Sequence, residues 1–424
     1  MRILWIKADR LLPVHNGGNI RSYHIARHLG NRHELTFFSY YPGKPDAEYE
    51  QALAAELPGA VGFCTGTASA TPMARALDYA LRLPAKAPYA VSRFGRPAVQ
   101  QRIQEWFRQS RFEVAICDFL DAAVNFPAEL SIPSVLFQHN VESEIWRRHS
   151  ETEQNPAKRA VYALEYRKMR RYEAAMVRKF HHVIAVSEND RALMMKWTDA
   201  SRITVVPTGV DLQRFSPGDP ARRLDGLVLF VGAMDWEPNV DAVEYFCGRV
   251  WPAICAEYPG ARFRIVGRNP GRRVRSLASD SVEVTGSVPS VQEHLEQASV
   301  VVVPLRIGGG TRLKIYEAMA MAKAVVSTTV GAEGLEVTSG RDIVLADGEP
   351  RLASAVVQLL RDRSERERYE QAAVALARSF DWSAIAEQFA AVLERIAGAS
   401  DAVLSGVQAA GVWQGELKRP EGAA

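Results

Sequence analysis

Short runs of apolar, mostly β-branched residues alternate with longer amphipathic stretches along most of the chain. Such short runs predict buried strands, and apolar residues that recur every three to four positions predict helices packed on them. Because strands and helices alternate, the sequence predicts parallel sheets with right-handed crossovers, one in each half of the chain. The predicted strands are residues 2–8, 34–40, 114–117, 134–137, 183–186, 203–206, 227–232, 262–267, 282–285, 300–305, 324–329 and 343–345.

Proline and glycine residues interrupt this pattern between residues 207 and 218, which marks the best boundary between two domains. We therefore predict one domain over residues 1–206 and a second over 207–380. Within the first, residues 42–97 are predicted to be irregular with a helical patch at 73–83, and residues 142–182 to be a long helical region. A last helix is predicted over 381–396, followed by an Ala-, Gly- and Ser-rich tail over 398–424 that we expect to be disordered.

The chemistry concentrates in residues 299–335, where a strand, three glycines at 308–310, a helix and a second strand follow one another. The helix is predicted to start at Thr311, which can cap it. Unpaired N–H groups at a helix start favour an anion, and Arg312 and Lys314 add positive charge beside it. Glu317 lies about one and a half turns further on, where a carboxylate can accept hydrogen bonds from sugar hydroxyls. The alternative is a glycine loop that only connects strand to helix.

Two further positions are candidates for ligand binding. Gly17 and Gly18 follow the first strand and open a helix, so their backbone can approach a ligand closely, although a turn needed only for packing is the alternative. They do not form a dinucleotide-binding fingerprint, because the G-x-G-x-x-G spacing is missing. His139 comes just after a predicted strand, where residues line the ligand crevice of an open α/β sheet. A purely structural histidine remains the alternative.

Composition narrows the function classes. The chain has 424 residues, 47% apolar and 24% charged, with a formal net charge of +3, so overall charge does not indicate a nucleic-acid partner. Four scattered cysteines show no metal-binding spacing and favour a reduced, cytoplasmic protein. No stretch resembles a signal peptide or a membrane span. The basic region 146–182, interleaved with aromatic residues, fits an anionic membrane surface, an anionic acceptor or a solvated helix face.

Several separate stretches together resemble the retaining glycosyltransferases of family 4, which have the GT-B fold of two Rossmann-like domains with parallel sheets facing across a cleft. The stretches span nearly the whole chain and are Gly17-Gly18, VLFQHNVES, VIAVSENDR, VVPTGVDLQRFSP, FVGAMDWEPN, RIVGRNP, VTGSVPSVQEHLEQASVVVVPL and GGGTRLKIYEAMAMAKAVVSTTVGAEGL. In this reading residues 1–206 form the acceptor-side domain, residues 207–380 bind the nucleotide sugar, and a helix over 381–397 crosses back to the first domain.

The resemblance implies transfer of a hexose-type sugar from a UDP- or GDP-linked donor to a glycan or lipid-linked acceptor, with retention and without a metal or other cofactor. It implies cell-surface or exopolysaccharide synthesis. The cytoplasmic location is predicted from the cysteines, and peripheral membrane contact is one of the alternatives that the basic region 146–182 itself offers. Glu317 matches the acid that binds the donor ribose, and His139 a histidine near the donor sugar and leaving phosphate. The remaining donor-binding positions are expected to be Gly17, Gly18, Arg21, Val288, Gly309, Gly310, Thr311 and Leu313.

The sequence departs from the family pattern at two places. The first acid of the family's Glu-x7-Glu motif is replaced by Gly309, and the Arg and Lys that normally follow the strand ending at Gly232 are absent from residues 234–239. We expect Arg312 and Lys314 to replace those cations, and Arg21 and Arg306 are the next candidates. Lys314 can instead pair with Glu317. These departures leave two alternatives: a non-catalytic protein that binds sugar nucleotides as a scaffold, and a GT-B-fold nucleotide-sugar epimerase.

Overall fold

The fold is known from a computed structural model, in which the structure describes residues 1–66, 71–307 and 310–410, except for the side chains of residues 72, 75 and 399–410. Two parallel sheets dominate it, as the alternating pattern predicted. The first has seven strands in the order β3-β2-β1-β4-β5-β6-β7, and the second has six in the order β10-β9-β8-β11-β12-β13. Each order reverses direction next to its first strand, and ligand crevices form at such points.

The first sheet and its helices are built from residues before the proline- and glycine-rich segment. Their bounds are β1 Arg2–Ala8, α1 Gly17–Gly30, β2 Glu34–Tyr41, α2 Ala47–Glu56, β3 Val61–Cys64, α3 Pro72–Arg82, α4 Tyr89–Ser92, α5 Pro97–Arg108, β4 Val114–Asp118, α6 Phe119–Ala122, β5 Ser134–Phe137, α7 Glu142–Thr152, α8 Pro156–Lys179, β6 His182–Ala185, α9 Glu188–Met194 and β7 Ile203–Val205.

The second sheet follows in the same style. Its elements are β8 Leu227–Val231, α10 Glu237–Tyr245, α11 Trp251–Glu257, β9 Arg262–Val266, α12 Arg272–Arg275, β10 Val282–Gly286, α13 Val291–Gln297, β11 Val300–Val303, α14 Leu313–Ala320, β12 Ala324–Ser327, β13 Val344–Leu345, α15 Glu349–Arg361, α16 Arg363–Ala377 and α17 Trp382–Ala410. None of the helices in the described part of the chain is both long enough and apolar enough to cross a bilayer.

The sequence-based prediction was wrong in two segments of the first half. Residues 42–97 are not irregular, because they hold α2 and β3 beside the predicted α3. Helix α2 buries only Tyr49 and Leu53, which leaves a weak periodic signal. The long helix predicted over 142–182 is split into α7 and α8, because Asn155 caps α8 and Pro156 occupies its first turn.

The second half contains two smaller differences. The helix predicted over 240–258 is interrupted by a π-helical turn at Phe246–Val250, which separates α10 from α11. The last helix passes its predicted end at Ile396 and continues to Ala410, so part of the predicted tail is helical. The rest of that tail, residues 411–424, lies outside the described residues.

The chain crosses between the two halves twice, and the crossings lie side by side. Val210 in the first crossing donates its N–H to the carbonyl of Phe380 at 2.8 Å, and Trp382 in the second donates to the carbonyl of Val210 at 3.3 Å. A Cβ atom on Gly209 would lie 2.6 Å from the Trp382 ring, so glycine is required there for this contact.

Helix α17 then packs on the first sheet. The ring of Phe389 is fully buried and stacks on Trp5 at 5.7 Å, and its edge contacts Phe137 at 4.9 Å. At the start of the helix, Trp382 stacks on His24 of α1 at 5.1 Å with the rings nearly parallel. The last helix of the chain therefore completes the core of the first half.

Candidate functional site

The site is built on the carboxyl ends of β4 and β5, which are neighbours in the first sheet. Asp118 ends β4, and its buried carboxylate lies 2.8 Å from Nε2 of His139, which follows β5. The same carboxylate accepts a hydrogen bond from Nε1 of Trp5 at 3.1 Å and lies 3.5 Å from the ammonium of Lys7. This environment holds the pKa of Asp118 below its usual range, because the Lys7 charge and the His139 hydrogen bond outweigh burial.

The neighbours of His139 assign its protonation. Because Nε2 faces the Asp118 carboxylate, this nitrogen carries the proton, and Nδ1 accepts a hydrogen bond from Arg21 Nη1 at 2.9 Å. Burial lowers the pKa of His139 to about 3 despite the adjacent carboxylate, so the ring is neutral near pH 7. Both ring nitrogens are therefore occupied within the protein.

The His139 ring is also clamped between aromatic rings. Phe119 stacks on it at 3.7 Å, and Phe137 lies 4.2 Å away. Phe119 has a φ of 63°, a backbone conformation that is strained for a bulky residue. A Cβ atom on Gly18 would lie 2.6 Å from Cζ of Phe119, so the packing of this ring is one reason for glycine at that position.

Arg21 of α1 joins this cluster to the other half of the molecule. Arg21 is 3% exposed, and its Nη2 donates to the hydroxyl of Thr311 at 2.6 Å while Nη1 donates to His139 at 2.9 Å. Burial lowers the pKa of Arg21 to about 10, which keeps it charged at neutral pH. Its Nε is buried without a hydrogen-bond partner among the residues that the structure describes.

The start of α14 differs from the sequence-based prediction. The helix begins at Leu313, its N-cap is Arg312, and the hydroxyl of Thr311 accepts from Arg21 instead of capping the helix. The Arg312 side chain lies over the Trp236 ring at 5.4 Å and donates to the carbonyl of Gly310. Burial lowers the pKa of Arg312 to about 10. Gly308 and Gly309, and with them the position of the missing first acid, lie outside the described residues.

The Lys314 side chain extends to the end of β8, where residues 234–239 contain no Arg or Lys. Its ammonium donates to Oδ1 of Asn239 at 2.9 Å and lies 4.4 Å from the centre of the Phe230 ring. Asn239 is oriented in turn by a 2.9 Å hydrogen bond to the carbonyl of Ala233. A Cβ atom on Gly232 would lie 2.7 Å from the lysine nitrogen, so glycine makes room for it. Burial lowers the pKa of Lys314 to about 7.

Glu317 lines a cavity of about 310 Å³ between the two halves. Burial raises the pKa of its carboxyl to about 7, although Arg214 and Lys314 act in the opposite direction. The cavity is also lined by Tyr23, His24 and Trp382, and by Leu313, one of the predicted donor-binding residues. Residues of α1, the first interdomain crossing and α14 therefore line one shared cavity.

The remaining predicted residues fall in different places. A Cβ atom on Gly17 would lie 3.4 Å from Leu313 Cδ1, so the starts of α1 and α14 face each other across the cleft. Val288 is half-buried after β10 and packs on the core of the second half. Arg306, a further candidate cation, forms an ion pair with Asp241 and lies over Tyr245, so its charge is already offset within the second half.

A second contact across the cleft is an ion pair, whose residues were not predicted from the sequence. Arg148 of α7 donates to both carboxylate oxygens of Glu333 at 2.9 and 3.1 Å. The roles of Asp118 and Phe119 were not predicted either, although Asp118 follows a buried strand and that position was a usable signal. Within residues 1–66, 71–307 and 310–410, no group of three or more His, Cys, Asp or Glu side chains is arranged to hold a metal ion.

Comparison with known proteins identifies this architecture. Residues 15–214 match the family described as Glycosyltransferase Family 4, and residues 225–362 match Glycosyl transferases group 1. A phosphatidyl-myo-inositol mannosyltransferase of Mycolicibacterium smegmatis is 25% identical over 351 residues, which cover 78% of this chain and 85% of that protein. A D-inositol 3-phosphate glycosyltransferase of Acidothermus cellulolyticus is 30% identical over 262 residues, covering 50% of this chain and 57% of that protein.

Solved structures share the fold at lower identity. Sucrose-phosphate synthase from Thermosynechococcus elongatus aligns with a TM-score of 0.69 and 17% identity, covering 94% of this chain and 100% of that one. Anabaena Alr3699/HepE in complex with UDP-glucose aligns with a TM-score of 0.62 and 16% identity, covering 93% and 100% of the two chains. At these identities the likeness shows the fold alone.

The neutral, buried His139 leads to a pH-dependent prediction. The unfolded imidazole takes up a proton near pH 6.5, whereas the folded one does so only at about pH 3, so the folded state loses stability as pH falls between these values. His139→Gln keeps an amide that can donate to Asp118 but cannot take up this proton. The wild-type advantage in free energy of unfolding should therefore shrink by about 1.4 kcal/mol per pH unit below about pH 6.

Urea unfolding followed by circular dichroism, from about pH 7 to about pH 5, measures this difference. The exposed His15→Gln variant serves as the control and should follow the wild-type pH dependence. Parallel curves for wild type and His139→Gln would contradict a neutral His139 in the folded state.

Proposed function

Because the chain belongs to the family 4 glycosyltransferases, which share the GT-B fold, we propose that it transfers a hexose-type sugar from a UDP- or GDP-linked donor with retention of configuration. The acceptor we propose is a glycan or a lipid-linked saccharide, in the assembly of a cell-surface or secreted polysaccharide. The relatives named as phosphatidyl-myo-inositol mannosyltransferases support a lipid-linked acceptor, and the UDP-glucose complex of HepE supports a nucleotide-sugar donor.

The observation that carries this proposal is the buried guanidinium of Arg21 at the meeting point of α1 and α14. Its two terminal nitrogens are held by His139 and Thr311, while its Nε has no partner among the described residues. A fixed cation with an unused N–H donor, beside a helix start, suits a diphosphate. Asn239 holds the amino group of Lys314 at the end of β8, and a bound diphosphate would favour its charged form, so Lys314 supplies a second cation to the bound donor.

In the proposed reaction, the protein stabilises the leaving phosphate and that phosphate accepts the proton of the acceptor. The bond from the anomeric carbon to the β-phosphate oxygen breaks, and the acceptor oxygen forms a new bond to the same face of that carbon. The departing phosphate takes the acceptor proton, so no separate protein base is required. Arg21, Arg312 and Lys314 stabilise the negative charge that develops on the phosphate, and each well-placed donor of this kind typically contributes about 3 kcal/mol.

His139 has a different role in this scheme from the one that the resemblance implied. Since Asp118 and Arg21 occupy both ring nitrogens, His139 acts as a positioning residue that fixes the Arg21 guanidinium. Glu317 is the residue we assign to the donor ribose, because it lines the cavity between the halves. Closure of the cleft around these groups would exclude water and suppress hydrolysis of the donor.

The proposed function predicts release of nucleoside diphosphate only when an acceptor is present. Purified protein is incubated with a panel of UDP- and GDP-linked hexoses, with and without lipid-linked or free glycans, and with or without EDTA. We expect acceptor-dependent release that EDTA leaves unchanged, because Arg and Lys side chains and N–H groups meet the diphosphate charge. Analysis of the product's anomeric configuration tests retention.

Three outcomes would contradict this proposal in different ways. Nucleotide-sugar binding without turnover on any acceptor would favour a non-catalytic scaffold, and formation of an epimer without release would favour an epimerase. Loss of activity in EDTA that magnesium or manganese restores would overturn the metal-independent mechanism alone.

Glu317→Gln should weaken nucleotide binding and lower turnover while leaving the fold intact. Above its pKa of about 7 the Glu317 carboxyl is charged, and the substitution removes the charge that lets it accept two ribose hydroxyl groups. Hydrogen bonds to a charged group are worth about 1.5–3 kcal/mol each, so the loss is measured at about pH 8, where the carboxylate predominates. Titration calorimetry with the nucleoside diphosphate measures the loss, with the exposed Glu129→Gln as the control. Unchanged affinity would remove Glu317 from the donor site.

The two cations near the start of α14 should both be needed for turnover. Arg312→Ala and Lys314→Met are each expected to lower turnover at saturating donor about a hundredfold, with the effect at Lys314 equal to or smaller than that at Arg312. The exposed Lys196→Met is the matched control. Near-normal turnover of either variant would show that the leaving group is neutralised elsewhere, and Arg21→Ala would then be the next test.

A further inference from the structure

Helix α3 has its polarity reversed relative to an ordinary surface helix. The side chains it exposes most are apolar: Met73 is 81% exposed, Leu77 61% and Leu81 72%. Ala74, Ala76 and Ala80 are exposed on the same side, so among the side chains of α3 that the structure describes, every exposed one is apolar. At 3.6 residues per turn these six residues form one continuous stripe about 160° wide.

The polar side chains of α3 that the structure describes, Asp78, Tyr79 and Arg82, are half-buried and form contacts within the protein. The hydroxyl of Tyr79 donates to Glu165 of α8 at 3.3 Å, and Arg82 donates to the carbonyl of Ser92 at 2.7 Å. Asp78 forms an ion pair with Arg82 at 2.8 Å. The hydrogen bonds to Glu165 and to the carbonyl of Ser92 orient the helix, so the apolar stripe faces outward.

The apolar surface continues onto α8. Leu83, just beyond α3, accepts a hydrogen bond on its carbonyl from Lys168 of α8 at 2.6 Å, which places the two segments in contact. Val161 and Leu164, on the neighbouring turns of α8, are 41% and 37% exposed. We call this surface the α3–α8 face, and it comprises Met73, Leu77, Leu81, Leu83, Val161 and Leu164.

Exposed basic residues border the face on α8. Lys158 lies three positions before Val161, and Arg167 and Arg171 lie three and seven positions after Leu164, so all three are helical neighbours of the apolar residues. A contiguous apolar surface with a basic border is typical of proteins that lie on anionic bilayers, where apolar side chains enter the headgroup boundary and cations meet the lipid phosphates.

We propose that the α3–α8 face binds the surface of an anionic phospholipid bilayer, with the apolar residues of α3 inserted and Lys158, Arg167 and Arg171 at the level of the headgroups. The sequence pattern pointed only to the basic region 146–182, whereas the structure locates the inserting element in α3. This inference deepens the proposed use of a lipid-linked acceptor but rests on α3 and α8 alone.

Helix α8 also links this face to the candidate site. Glu173, eight residues beyond Glu165, accepts hydrogen bonds from the side chain of Gln138 and from the backbone of Glu142 and Ser143, on both sides of His139 in the chain. At about 1.5 Å per residue the two glutamates lie about 12 Å apart along α8. A bilayer bound at the face would thus present lipid-borne groups close to the cleft.

Co-sedimentation of the full chain with vesicles tests the proposal. We expect binding to vesicles that contain phosphatidylglycerol, at least tenfold weaker binding to pure phosphatidylcholine, and weakening by salt. Leu77→Asp/Leu81→Asp should lower the partition coefficient at least tenfold, and Arg167→Glu/Arg171→Glu should remove the preference for anionic lipid. Met195→Asp, at an exposed apolar residue after α9, is the matched control and should bind like the wild type.

A second variant covers the case in which the aspartates disturb folding. Leu77→Trp should gain a fluorescence component that brominated phosphatidylglycerol quenches and that wild type lacks. No binding to anionic vesicles, binding that Leu77→Asp/Leu81→Asp leaves unchanged, or no added quenching would overturn the proposal. A change from dimer to monomer in the aspartate variant, without vesicle binding by the wild type, would mean that a second copy covers the face. These assays measure binding alone, so their failure would not bear on sugar transfer.

Discussion

Removing a guanidinium from water is costly unless the protein replaces the hydrogen bonds and offsets the charge. Arg21 meets this requirement only where the two halves touch, because one terminal nitrogen bonds to His139 of the first half and the other to Thr311 of the second. Asp190 and Asp118 supply the balancing negative charge. Separating the halves would remove one of the two hydrogen-bond partners of Arg21, so the contact between the halves and the geometry of the candidate site depend on each other.

The same cluster explains why some residues of the site could be predicted from sequence and others could not. His139 and Glu317 follow from local rules, since one comes just after a strand and the other lies in a helix after a glycine-rich turn. The role of Asp118 depends on β4 lying next to β5, which is a property of the sheet order. Thr311 was predicted to cap α14, but its hydroxyl has a charged donor available from α1, and that long-range hydrogen bond takes precedence.

Cation placement shows the same limit. Residues 234–239 contain no Arg or Lys. The structure nevertheless places a basic side chain at the end of β8, because Lys314 of α14 extends to Asn239. A lysine side chain is long enough to act in a neighbouring element, so the position of a charge in space is less constrained than its position in the sequence. Secondary structure was predictable where the periodicity was strong. It was missed in α2 and β3, where few residues are buried, and hydrophobic pattern alone does not say which side of α3 faces solvent.

The paired crossings at Val210 and Trp382 limit which segments of the chain can be exchanged by recombination between related genes. Since Phe389 of α17 fills the core between Trp5 and Phe137, the first half of the molecule is assembled from two segments that lie at opposite ends of the chain. Exchange of a terminal segment between homologous genes would join the first sheet to a foreign α17 and mismatch their aromatic packing. Exchange of a segment that lies between the two crossings would leave that packing intact, because the first sheet and the last helix would still come from the same gene.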